Sequence, residues 1–519
     1  MADETTRNHY VLAAESFLIF FMSCYMISIF IIKKKKINRE VIVFTRYPIP
    51  GKAKTRLIPY LGETAAAKMQ MLMTEHMINV LQQFHHTGLG IRVTVQYNGG
   101  SESQMKYWLE RRLCGLPCSY HAQADGDLGA KLKSAVKASF DRGSQYVIVI
   151  GSDIPGIDTS ILQTGFDMLA QAGVEMVLGP AQDGGYYLVG FNRRALKVID
   201  HIFEGMDWGS EWVFQQQMAR AQQLQIPVGV HPVTLHDVDT EEDIEVFEKE
   251  VKVSRDELTS PMWSIIIPTL NEAQNIKACL QNISESISML SSVSEIVVSD
   301  GGSVDDTVHI VDEMTATYPL AVKLVHSKPG RGHQLIAGVK VARGHRYLVL
   351  HADSRLPKEF DTLASACLDQ PGVVAGAFGF QLDVLSDNAL TKTEPFWFVQ
   401  QMRLLVWGTN KRATVYEKPY GDQALFMDRR TYRLVGGFPP YRLMEDYVMV
   451  EKLRTVGHVC VLHDDPVVTS YRRWQKYGYF KVTGLSQVII LAYHLGVHPD
   501  TLAGWYHDDK TSVVKHKAS

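Results

Sequence analysis

The order of hydrophobic and polar positions predicts short buried strands that alternate with helices through the first half of the chain. Each strand candidate is a run of apolar, often β-branched residues that ends at a Gly, Pro or Asp. This alternation is typical of an α/β domain with a mainly parallel sheet. The runs begin or lie within Val41–Leu57, Ile91–Tyr97, Tyr146–Asp153 and Val174–Pro180.

The same pattern stops in a charged stretch and then starts again. Residues Glu241–Pro261 are rich in charge and predict a last helix followed by a linker. We therefore predict one α/β domain over residues 37–250, a linker over 251–262 and a second α/β domain over 263–519. The strand candidates of the second domain lie in Trp263–Ile276, Glu295–Thr307, Tyr347–Ser354 and Val374–Val384.

Two of these strands resemble each other although they are about two hundred residues apart. "YVIVIGSDIPG" (Tyr146–Gly156) and "YLVLHADSRLP" (Tyr347–Pro357) both carry one aspartate after an apolar run, Asp153 and Asp353. Open α/β sheets bind ligands at the carboxyl ends of their strands. Both aspartates are therefore candidates for a functional site.

The N-terminus carries a different signal. Val11–Ile32 is about as long and as apolar as a helix that spans a bilayer, and the lysines Lys33–Lys36 follow it. Because these lysines favour the cytosolic side, we expect residues 1–36 to form a single-pass membrane anchor with the bulk of the chain facing the cytosol. The alternative is a buried apolar helix.

Length, charge and cysteine content indicate a globular chain of more than one domain and argue against a nucleic-acid binder or a disulfide-rich protein. The chain has 519 residues, too many for one core, and 46% of them are hydrophobic. The formal net charge of -3 gives no indication of a nucleic-acid partner. Six cysteines are too few for a disulfide framework. The pair Cys114 and Cys118 lacks the partners of a zinc site, so two buried or idle thiols are the better interpretation.

Several residues of the second half suit chemistry on a nucleotide diphosphate. Asp300 follows a strand and can accept from a base or ribose, or it can simply close an acidic turn. Arg331 lies in the glycine-loosened basic loop of Lys328–Ala342, which suits a phosphate. A divalent cation near Asp353, with His351 two residues before it, would lower the cost of a leaving diphosphate.

Further along, acidic and basic residues suggest the remaining parts of such a site. Glu445 and Asp446 stand at a predicted helix start, as a catalytic base or as an ordinary helix-start charge pair. Arg472, Arg473 and Trp474 could close over a diphosphate or an acceptor, or serve structural pairing. The apolar run Gln487–Val497 favours a core helix over a helix resting on a membrane.

Together these residues make the second half resemble family-2 glycosyltransferases with the GT-A fold, closest to a bacterial subgroup of radical-SAM/selenodomain-associated transferases of the second type. The resemblance implies inverting transfer from a nucleotide-sugar. It places Thr269, Glu272 and Asp300 at the nucleoside, Asp353 at a metal, and Asp446 as base. Arg355 stands where the wider family has a second aspartate, and His351 is expected to help orient the site. The motifs are "PTLNEAQNI", "VSDGGSVDDT", "GRGHQLIAG", "LHADSRLP", "GDQALFM", "GGFPPYRLMED" and "SYRRWQKYG".

The first half carries its own set of candidate residues. Lys52, Lys54 and Arg56 lie around a Pro–Gly turn after a strand, which suits nucleotide phosphates or is merely a solvated basic turn. Further motifs follow in order: "QADGDLGAKL", "GSDIPGI", "GPAQDGGYYLVGF", "WGSEWVF" and "HDVDTEED".

These motifs resemble the first type of the same transferases, which share the nucleotidyltransferase-like GT-A fold with phospholactate guanylyltransferases. The resemblance implies that Asp153 ligates a metal and that Asp183 faces the substrate. It also implies that Asp237 or Asp239 completes a metal pair. A fold kept only as a scaffold is the alternative.

The sequence thus predicts two tandem GT-A (nucleotide-diphospho-sugar transferase, Rossmann-like) domains after a transmembrane helix. We expect a membrane-anchored, bifunctional glycosyltransferase of the hexosyltransferase type that uses a nucleotide-sugar donor and manganese or magnesium. The acceptor, a lipid or a small molecule, is left open. Two alternatives stay open: a first half that makes the nucleotide-sugar as a nucleotidyltransferase, and a non-catalytic membrane-tethered scaffold.

Overall fold

The computed structural model describes residues 38–88, 90–385 and 394–507. The predicted anchor Val11–Ile32 lies outside these ranges. Within them, no helix is both long and apolar enough to cross a membrane. Within the described ranges the chain forms two compact units, the first from residues in 38–45, 77–98 and 115–237, and the second from residues in 46–76, 99–114 and 238–507.

The first half contains a seven-stranded sheet. In the sheet the strands follow the order β3-β2-β1-β4-β6-β5-β7. β1 and β4 run parallel, whereas β6 runs antiparallel to both of its neighbours. The strands are β1 (Arg39–Arg46), β2 (Ile91–Asn98), β3 (Cys118–Ala122), β4 (Tyr146–Gly151), β5 (Met176–Pro180), β6 (Tyr186–Asn192) and β7 (Val228–Val230).

Helices join these strands, and their starts follow ordinary capping rules. Asp158, for example, accepts hydrogen bonds from the backbone N–H groups of Ser160 and Ile161 and so begins the helix after β4. The helices are α1 (Ile58–Leu61), α2 (Glu63–His86), α3 (Glu102–Leu109), α4 (Leu128–Asp141), α5 (Thr159–Ala170), α6 (Val213–Gln223), α7 (Ile244–Val251) and α8 (Arg255–Thr259), with 3-10 turns at Thr55–Leu57 and Arg193–Val198.

The second half contains an eight-stranded sheet with the order β10-β9-β8-β11-β14-β13-β15-β12. The first four strands of this order are parallel, and β14 is antiparallel to both of its neighbours. The strands are β8 (Trp263–Thr269), β9 (Val293–Asp300), β10 (Val322–His326), β11 (Arg346–Val349), β12 (Ser354–Arg355), β13 (Val373–Leu382), β14 (Phe426–Asp428) and β15 (His458–Thr469).

The central strand β8 shows why this sheet forms. Ile265 and Ile267 pack into one apolar cluster and Ile266 packs into another, because alternate side chains of a strand point to opposite faces. Both faces are therefore buried, as expected of a parallel sheet covered by helices. The helices are α9 (Ile276–Ser286), α10 (Thr307–Thr315), α11 (Arg331–Val341), α12 (Phe360–Leu368), α13 (Phe396–Tyr416), α14 (Arg429–Leu434), α15 (Glu445–Val456), α16 (Arg472–Tyr477), α17 (Tyr479–His494) and α18 (Pro499–His507), with 3-10 turns at Leu290–Ser292, Asp383–Leu385 and Gly421–Gln423.

The second compact unit also includes two segments from early in the chain. Arg111, from segment 99–114, makes a two-pronged ion pair with Glu417 at 2.7 and 2.9 Å. The Tyr107 ring stacks on the His458 ring at 3.8 Å. Lys68, from segment 46–76, pairs with Asp369 at 2.9 Å. The second unit is therefore not built from the C-terminal half of the sequence alone.

Both predicted α/β halves are present as separate sheets. The predicted linker 251–262 contains the short helix α8, whose Leu258 is buried with Val253 in an apolar cluster of the second unit. Cys114 and Cys118 are both exposed rather than buried.

Candidate active site

The carboxyl ends of β8, β9 and β11 lie at one edge of the second sheet and bring the predicted residues together. Thr269 and Asp300 are register partners in β8 and β9. The Thr269 hydroxyl lies 3.5 Å from the Asp300 carboxylate, and both residues are buried. His351 and Asp353 follow β11, which pairs with β8 on its other side. The strand-end rule therefore placed these four residues correctly at one sheet edge.

Asp300 is occupied by its own loop. Its carboxylate accepts hydrogen bonds from the backbone N–H groups of Gly302 at 2.8 Å and Ser303 at 3.0 Å, and from the Ser303 hydroxyl. The Asp300 carboxylate thus closes an acidic turn at the start of the loop. A carboxylate has further lone pairs, so contact with a nucleoside stays a prediction.

Arg472 links the two other acidic candidates of this edge. Its guanidinium lies 2.7 and 2.9 Å from the Glu272 carboxylate oxygens and 3.2 Å from Asp353 Oδ2. Burial lowers the pKa of Arg472, but the pairing with Glu272 and Asp353 outweighs it and raises that pKa overall. A permanent cation therefore bridges Glu272 and Asp353, at the place where a diphosphate was expected.

A second ion pair is buried deeper. Arg331, the first residue of α11, donates to Glu445, the first residue of α15, at 2.9 Å. Glu445 is 1% exposed, and its second oxygen is buried without a hydrogen-bond partner among the described residues. Burial, together with the neighbouring Asp446, raises the pKa of Glu445 to about 7 although Arg331 opposes this. Its burial and its pairing with Arg331 make Glu445 a poorer candidate than Asp446 for a base that must reach an acceptor hydroxyl.

Asp446 is held differently. One of its oxygens accepts the Gly421 N–H at 2.6 Å and the other accepts the Tyr447 N–H at 2.7 Å. A β carbon placed on Gly421 would lie 2.9 Å from Asp446 Oδ2 and 3.3 Å from His351 Nε2, so the carboxylate and the imidazole flank the same glycine. Burial, and the charge of Arg331, lower the pKa of His351, which keeps the ring neutral.

The structure adds Asp422, which the sequence analysis did not single out. It follows Gly421 in the "GDQALFM" motif, and its Oδ1 is buried without a partner among the described residues. Burial, and the neighbouring Asp446, raise the pKa of Asp422 to about 6. The motif was the available signal for Asp422. The neighbouring Arg412, whose guanidinium lies 3.4 Å over the Tyr420 ring, opposes the rise in the pKa of Asp422.

Among the described residues, the side chains of Arg473 and Trp474 pack against other side chains of the second unit and do not line an open cleft. The Arg473 guanidinium lies 3.8 Å over the Tyr506 ring, and burial together with Arg331 lowers its pKa to about 10. Trp474 packs against the apolar cluster of Phe380 and Met402. The structural role that the sequence left open therefore accounts for Trp474, while Arg473 stays electrostatically close to Asp422 and Arg331.

The residues present offer a divalent cation few protein ligands. Among residues 38–88, 90–385 and 394–507, no three His, Cys, Asp or Glu side chains converge on one point. Arg355, in the place of a second aspartate, donates to the Ser354 carbonyl. Magnesium is commonly held by one or two carboxylates plus substrate phosphates. Asp353 fits that arrangement only, with a donor diphosphate supplying the other oxygens.

The basic loop with Lys54 and Arg56 comes early in the sequence but belongs to the second unit. There it contacts Asp239, one of the predicted metal ligands. Lys54 lies 2.8 Å and Arg56 lies 3.3 Å from the two oxygens of Asp239. Lys54 is in the left-handed conformation (φ 46°), and its amino group also donates to the Val238 carbonyl at 2.6 Å. Lys52 is exposed, and its carbonyl accepts from Arg46 at 2.8 Å. The Asp239 carboxylate therefore forms ion pairs with the side chains of both Lys54 and Arg56.

In the first unit, Asp153 and Asp183 occupy the loops after β4 and β5. A β carbon on Gly151 would collide with the Asp153 carboxylate, so this side chain folds back over the end of β4. Asp183 accepts from the Gly185 N–H at 2.9 Å, and a β carbon on Gly184 would collide with the Glu211 carbonyl. Asp237 ends the first unit. The loop of Asp183 therefore requires glycine at position 184, whereas the atom that crowds Gly151 belongs to the movable Asp153 side chain.

Comparisons with known proteins divide the chain in the same way. A family described as "Uncharacterized protein conserved in bacteria (DUF2064)" matches residues 81–210, and "Glycosyl transferase family 2" matches residues 264–418. The two matches fall on the two halves that the motifs distinguish. They confirm the resemblance of the chain to a fusion of two transferases with the GT-A fold.

Individual proteins extend these matches. The succinoglycan biosynthesis protein ExoA of Rhizobium meliloti is 27% identical over 44% of this chain and 70% of its own length. A PGL/p-HBAD biosynthesis glycosyltransferase of Mycobacterium bovis is 37% identical over 21% of this chain, and the chain spans 41% of that protein. A putative nucleotide-diphospho-sugar transferase of Desulfovibrio desulfuricans, solved as a crystal structure, is 31% identical over 43% of this chain and 92% of its own, with a TM-score of 0.36.

Proposed function

Since the C-terminal half carries a family-2, nucleotide-sugar-dependent glycosyltransferase domain, we propose that it transfers a sugar with inversion at the anomeric carbon. The observation that carries the proposal is the position of Asp446. It stands in the first turn of α15, beside His351, with one oxygen held by the Gly421 N–H. A carboxylate fixed in this way can take the proton of an acceptor hydroxyl while that oxygen attacks the sugar.

Asp446 is preferred to Glu445 as the base because the two carboxyl groups differ in environment. Glu445 is buried, paired with Arg331, and has a pKa raised to about 7. Asp446 is half-buried, has no cationic partner among the described residues of the kind that Glu445 has in Arg331, and accepts two backbone hydrogen bonds that fix its orientation. A single displacement by the acceptor oxygen, with no covalent sugar on the protein, inverts the anomeric carbon.

The leaving diphosphate must be stabilised by positive charge, which the Arg472 guanidinium can supply. In the structure this guanidinium is paired with Glu272 and Asp353. We propose that it moves from these carboxylates to the diphosphate when the donor binds. A manganese or magnesium ion held by Asp353 and the diphosphate oxygens would neutralise the same charge. Thr269, Glu272 and the loop closed by Asp300 would then face the nucleoside.

The replacement Asp446→Asn tests this assignment. General-base catalysis contributes roughly 100- to 10,000-fold, so turnover, measured as release of nucleoside diphosphate from a panel of nucleotide-sugars, should fall on that scale. Donor affinity measured by calorimetry should stay the same. Asp464→Asn is the control, because the Asp464 side chain is fully exposed. Near-normal turnover of Asp446→Asn, or a product with the donor's anomeric configuration, would refute the proposal.

We propose that the N-terminal half is a second active transferase domain, which makes the chain bifunctional. The position of Asp153 after β4 and the tight loop of Asp183, both in the first unit, support a nucleotide site in that unit. Formation of a nucleotide-sugar from a nucleoside triphosphate and a sugar phosphate is the alternative reaction, and pyrophosphate release would select it. If neither half binds a nucleotide, the chain is a scaffold.

We also propose that Val11–Ile32 anchors the chain in a membrane with both halves on the cytosolic side. The lysines of 33–36 at the C-terminal end of this apolar run support that orientation. Protease added to sealed microsomes should digest both halves. Full protection of either half in the absence of detergent would show that the orientation is wrong.

A further inference from the structure

Two helices of the second unit leave large apolar side chains in solvent. Along α13, Trp397, Leu404, Trp407 and Val415 follow one another at spacings of seven, three and eight residues. These spacings are close to whole numbers of helical turns, so the four side chains form one stripe on the helix. Trp397 is 76% and Trp407 is 60% exposed on this stripe. Along α17 a similar stripe runs to its C-terminal end. The exposed residues are Phe396, Trp397, Leu404, Trp407, Val415, Tyr416, Phe480, Val488, Leu491 and Leu495.

The two stripes belong to one packed group of helices. Met402 of α13 lies in an apolar cluster that Trp474 and Tyr479 also contact, which joins α13 to α16 and α17. On its other side α17 buries Ile489 and Ala492 against Tyr447 of α15. The sequence predicted a core helix over Gln487–Val497. In the structure only the inner side of α17, with Ile489 and Ala492, belongs to the core. The outer sides of both helices stay uncovered by the described residues.

The charge of these helices is of one sign. Residues 396–416 include Arg403, Lys411 and Arg412, and residues 472–495 include Arg472, Arg473, Lys476 and Lys481, whereas neither range contains Asp or Glu. The whole chain, in contrast, has 53 Lys and Arg and 56 Asp and Glu. Arg412 stacks on Tyr420, Arg472 pairs with Glu272 and Asp353, and Arg473 lies over Tyr506, so these three are engaged within the protein. The other four cations, Arg403, Lys411, Lys476 and Lys481, are exposed on the same helical region as the apolar side chains. This combination matches a surface that binds both acyl chains and anionic groups.

An open groove lies along α13. Its volume is ≈ 590 Å³, and Arg403, Trp407 and Lys411 line one side while His463 and Gln381 line the other. The Lys411 amino group lies 4.9 Å over the Trp407 ring, so a cation and an apolar ring are presented together. An anionic headgroup would meet the two cations, and its acyl chains would meet the aromatic stripe.

We propose that the outer face of α13 and α17 docks on a bilayer that contains anionic lipids. A second copy of the chain fits this face less well, because a two-fold contact would bring the basic residues of one copy against those of the other. The tryptophan and phenylalanine rings belong to the class of side chain that rests at the level of lipid headgroups. This docking is independent of the proposed anchor and of the proposed transfer reaction.

Docking would act on the candidate active site through the inner side of α13. Arg412 donates to the Lys418 carbonyl at 3.1 Å and stacks on Tyr420, next to the turn that carries Asp422. At the other end, Phe398 contacts the Tyr471 ring, which precedes Arg472. A bilayer that holds the outer face of α13 would therefore also restrain two segments of the site.

Quenching of tryptophan fluorescence by lipids brominated on their acyl chains tests the proposal on the full chain. Residues 1–107 contain no tryptophan, so the predicted anchor gives no signal. In vesicles of phosphatidylcholine and phosphatidylglycerol we expect quenching that the variant Trp397→Phe/Trp407→Phe largely loses. The variant Arg403→Glu/Lys411→Glu should reduce the quenching at least two-fold. Vesicles of phosphatidylcholine alone should quench weakly.

Trp212→Phe is the matched control, because Trp212 is also exposed, at 56%, but lies outside these helices. It should leave the quenching by phosphatidylglycerol vesicles unchanged. Equal quenching of the wild type and of Trp397→Phe/Trp407→Phe would overturn the proposal. So would a dimer in sedimentation velocity that Leu404→Glu abolishes, together with absent quenching, since that result assigns the face to a second copy.

Discussion

Two carboxyl groups in the candidate site differ from ordinary surface acids in the residues around them. Glu445 is buried beside Arg331, and Asp422 is enclosed beside Arg412 and Asp446. Burial is the largest cause of the raised pKa of each group, to about 7 for Glu445 and to about 6 for Asp422. Glu445 can therefore hold a proton near neutral pH, and Asp422 can do so near pH 6, so each can donate a hydrogen bond at a pH where an ordinary aspartate or glutamate is ionised.

This predicts a pH dependence of local stability. Because the folded pKa of Glu445 exceeds its ordinary value of 4.5, its contribution is complete below pH 4.5 and is lost as the pH rises toward 7. The free energy of local opening of α15, from hydrogen exchange corrected for intrinsic rates, should therefore fall between pH 5 and pH 8. Glu445→Gln should flatten this dependence, and Asp422→Asn should flatten its lower part.

Asp464→Asn serves as the control, since that side chain is fully exposed and should not alter the pH profile. If Glu445→Gln keeps the wild-type slope, the proton of Glu445 is not the cause. A free energy of local opening that rises with pH would mean that folding lowers the pKa of Glu445 rather than raising it.

At the scale of elements, the starts of α11 and α15 are joined by a close backbone contact. The Gly332 N–H donates to the Tyr441 carbonyl at 2.9 Å, and Arg331 reaches Glu445 from the same turn. A β carbon on Gly332 would lie 2.5 Å from the Tyr441 carbonyl, which is too close for any side chain. This glycine lets the loop before α15 approach α11, and so it sets the position of Asp446.

The replacement Gly332→Ala should therefore disturb the site without removing a functional group. We expect a loss of about 1–3 kcal/mol in stability from overpacking and at least a ten-fold fall in turnover, measured with the nucleotide-sugar assay. Gly408→Ala is the matched control, because nothing lies within 4 Å of a β carbon there and α13 should gain up to about 1 kcal/mol. Normal turnover of Gly332→Ala would show that the loop tolerates displacement.

For the whole molecule, the central question is whether the two halves act separately. Asp153 lies in the first compact unit and Asp446 in the second. Asp153→Asn in the full chain should abolish metal-dependent nucleotide binding by the first half, because the amide has the shape of the carboxylate but not its charge. Calorimetry with nucleotides and manganese should then show the loss of one site, whereas Asp446→Asn should lose turnover and keep both sites.

Unchanged nucleotide binding in Asp153→Asn would make Asp153 a structural residue of the β4 loop. Loss of both sites in that variant, with the fold intact by circular dichroism, would mean that the two halves are coupled rather than separate. Neither outcome would affect the assignment of Asp446 as the base, which is tested by the turnover of Asp446→Asn.

The sequence by itself determined the two α/β halves and the strands that build them. Runs such as Trp263–Thr269 show strand periodicity and β-branched residues, and these local properties survive in any context that buries both faces. Motif order also identified the two transferase families. Residues at strand ends, Thr269, Asp300 and Asp353, could be placed at one edge because parallel strands end together.

Only the tertiary structure decided which charges meet. Arg331 pairs with Glu445, Arg472 bridges Glu272 and Asp353, and Lys54 with Arg56 surrounds Asp239. Segments 46–76 and 99–114 join the second unit although they come early in the chain. Such pairings depend on packing between residues far apart in sequence, about which local periodicity carries no information. The raised pKa of Asp422 likewise depends on burial, which exists only once the chain has folded.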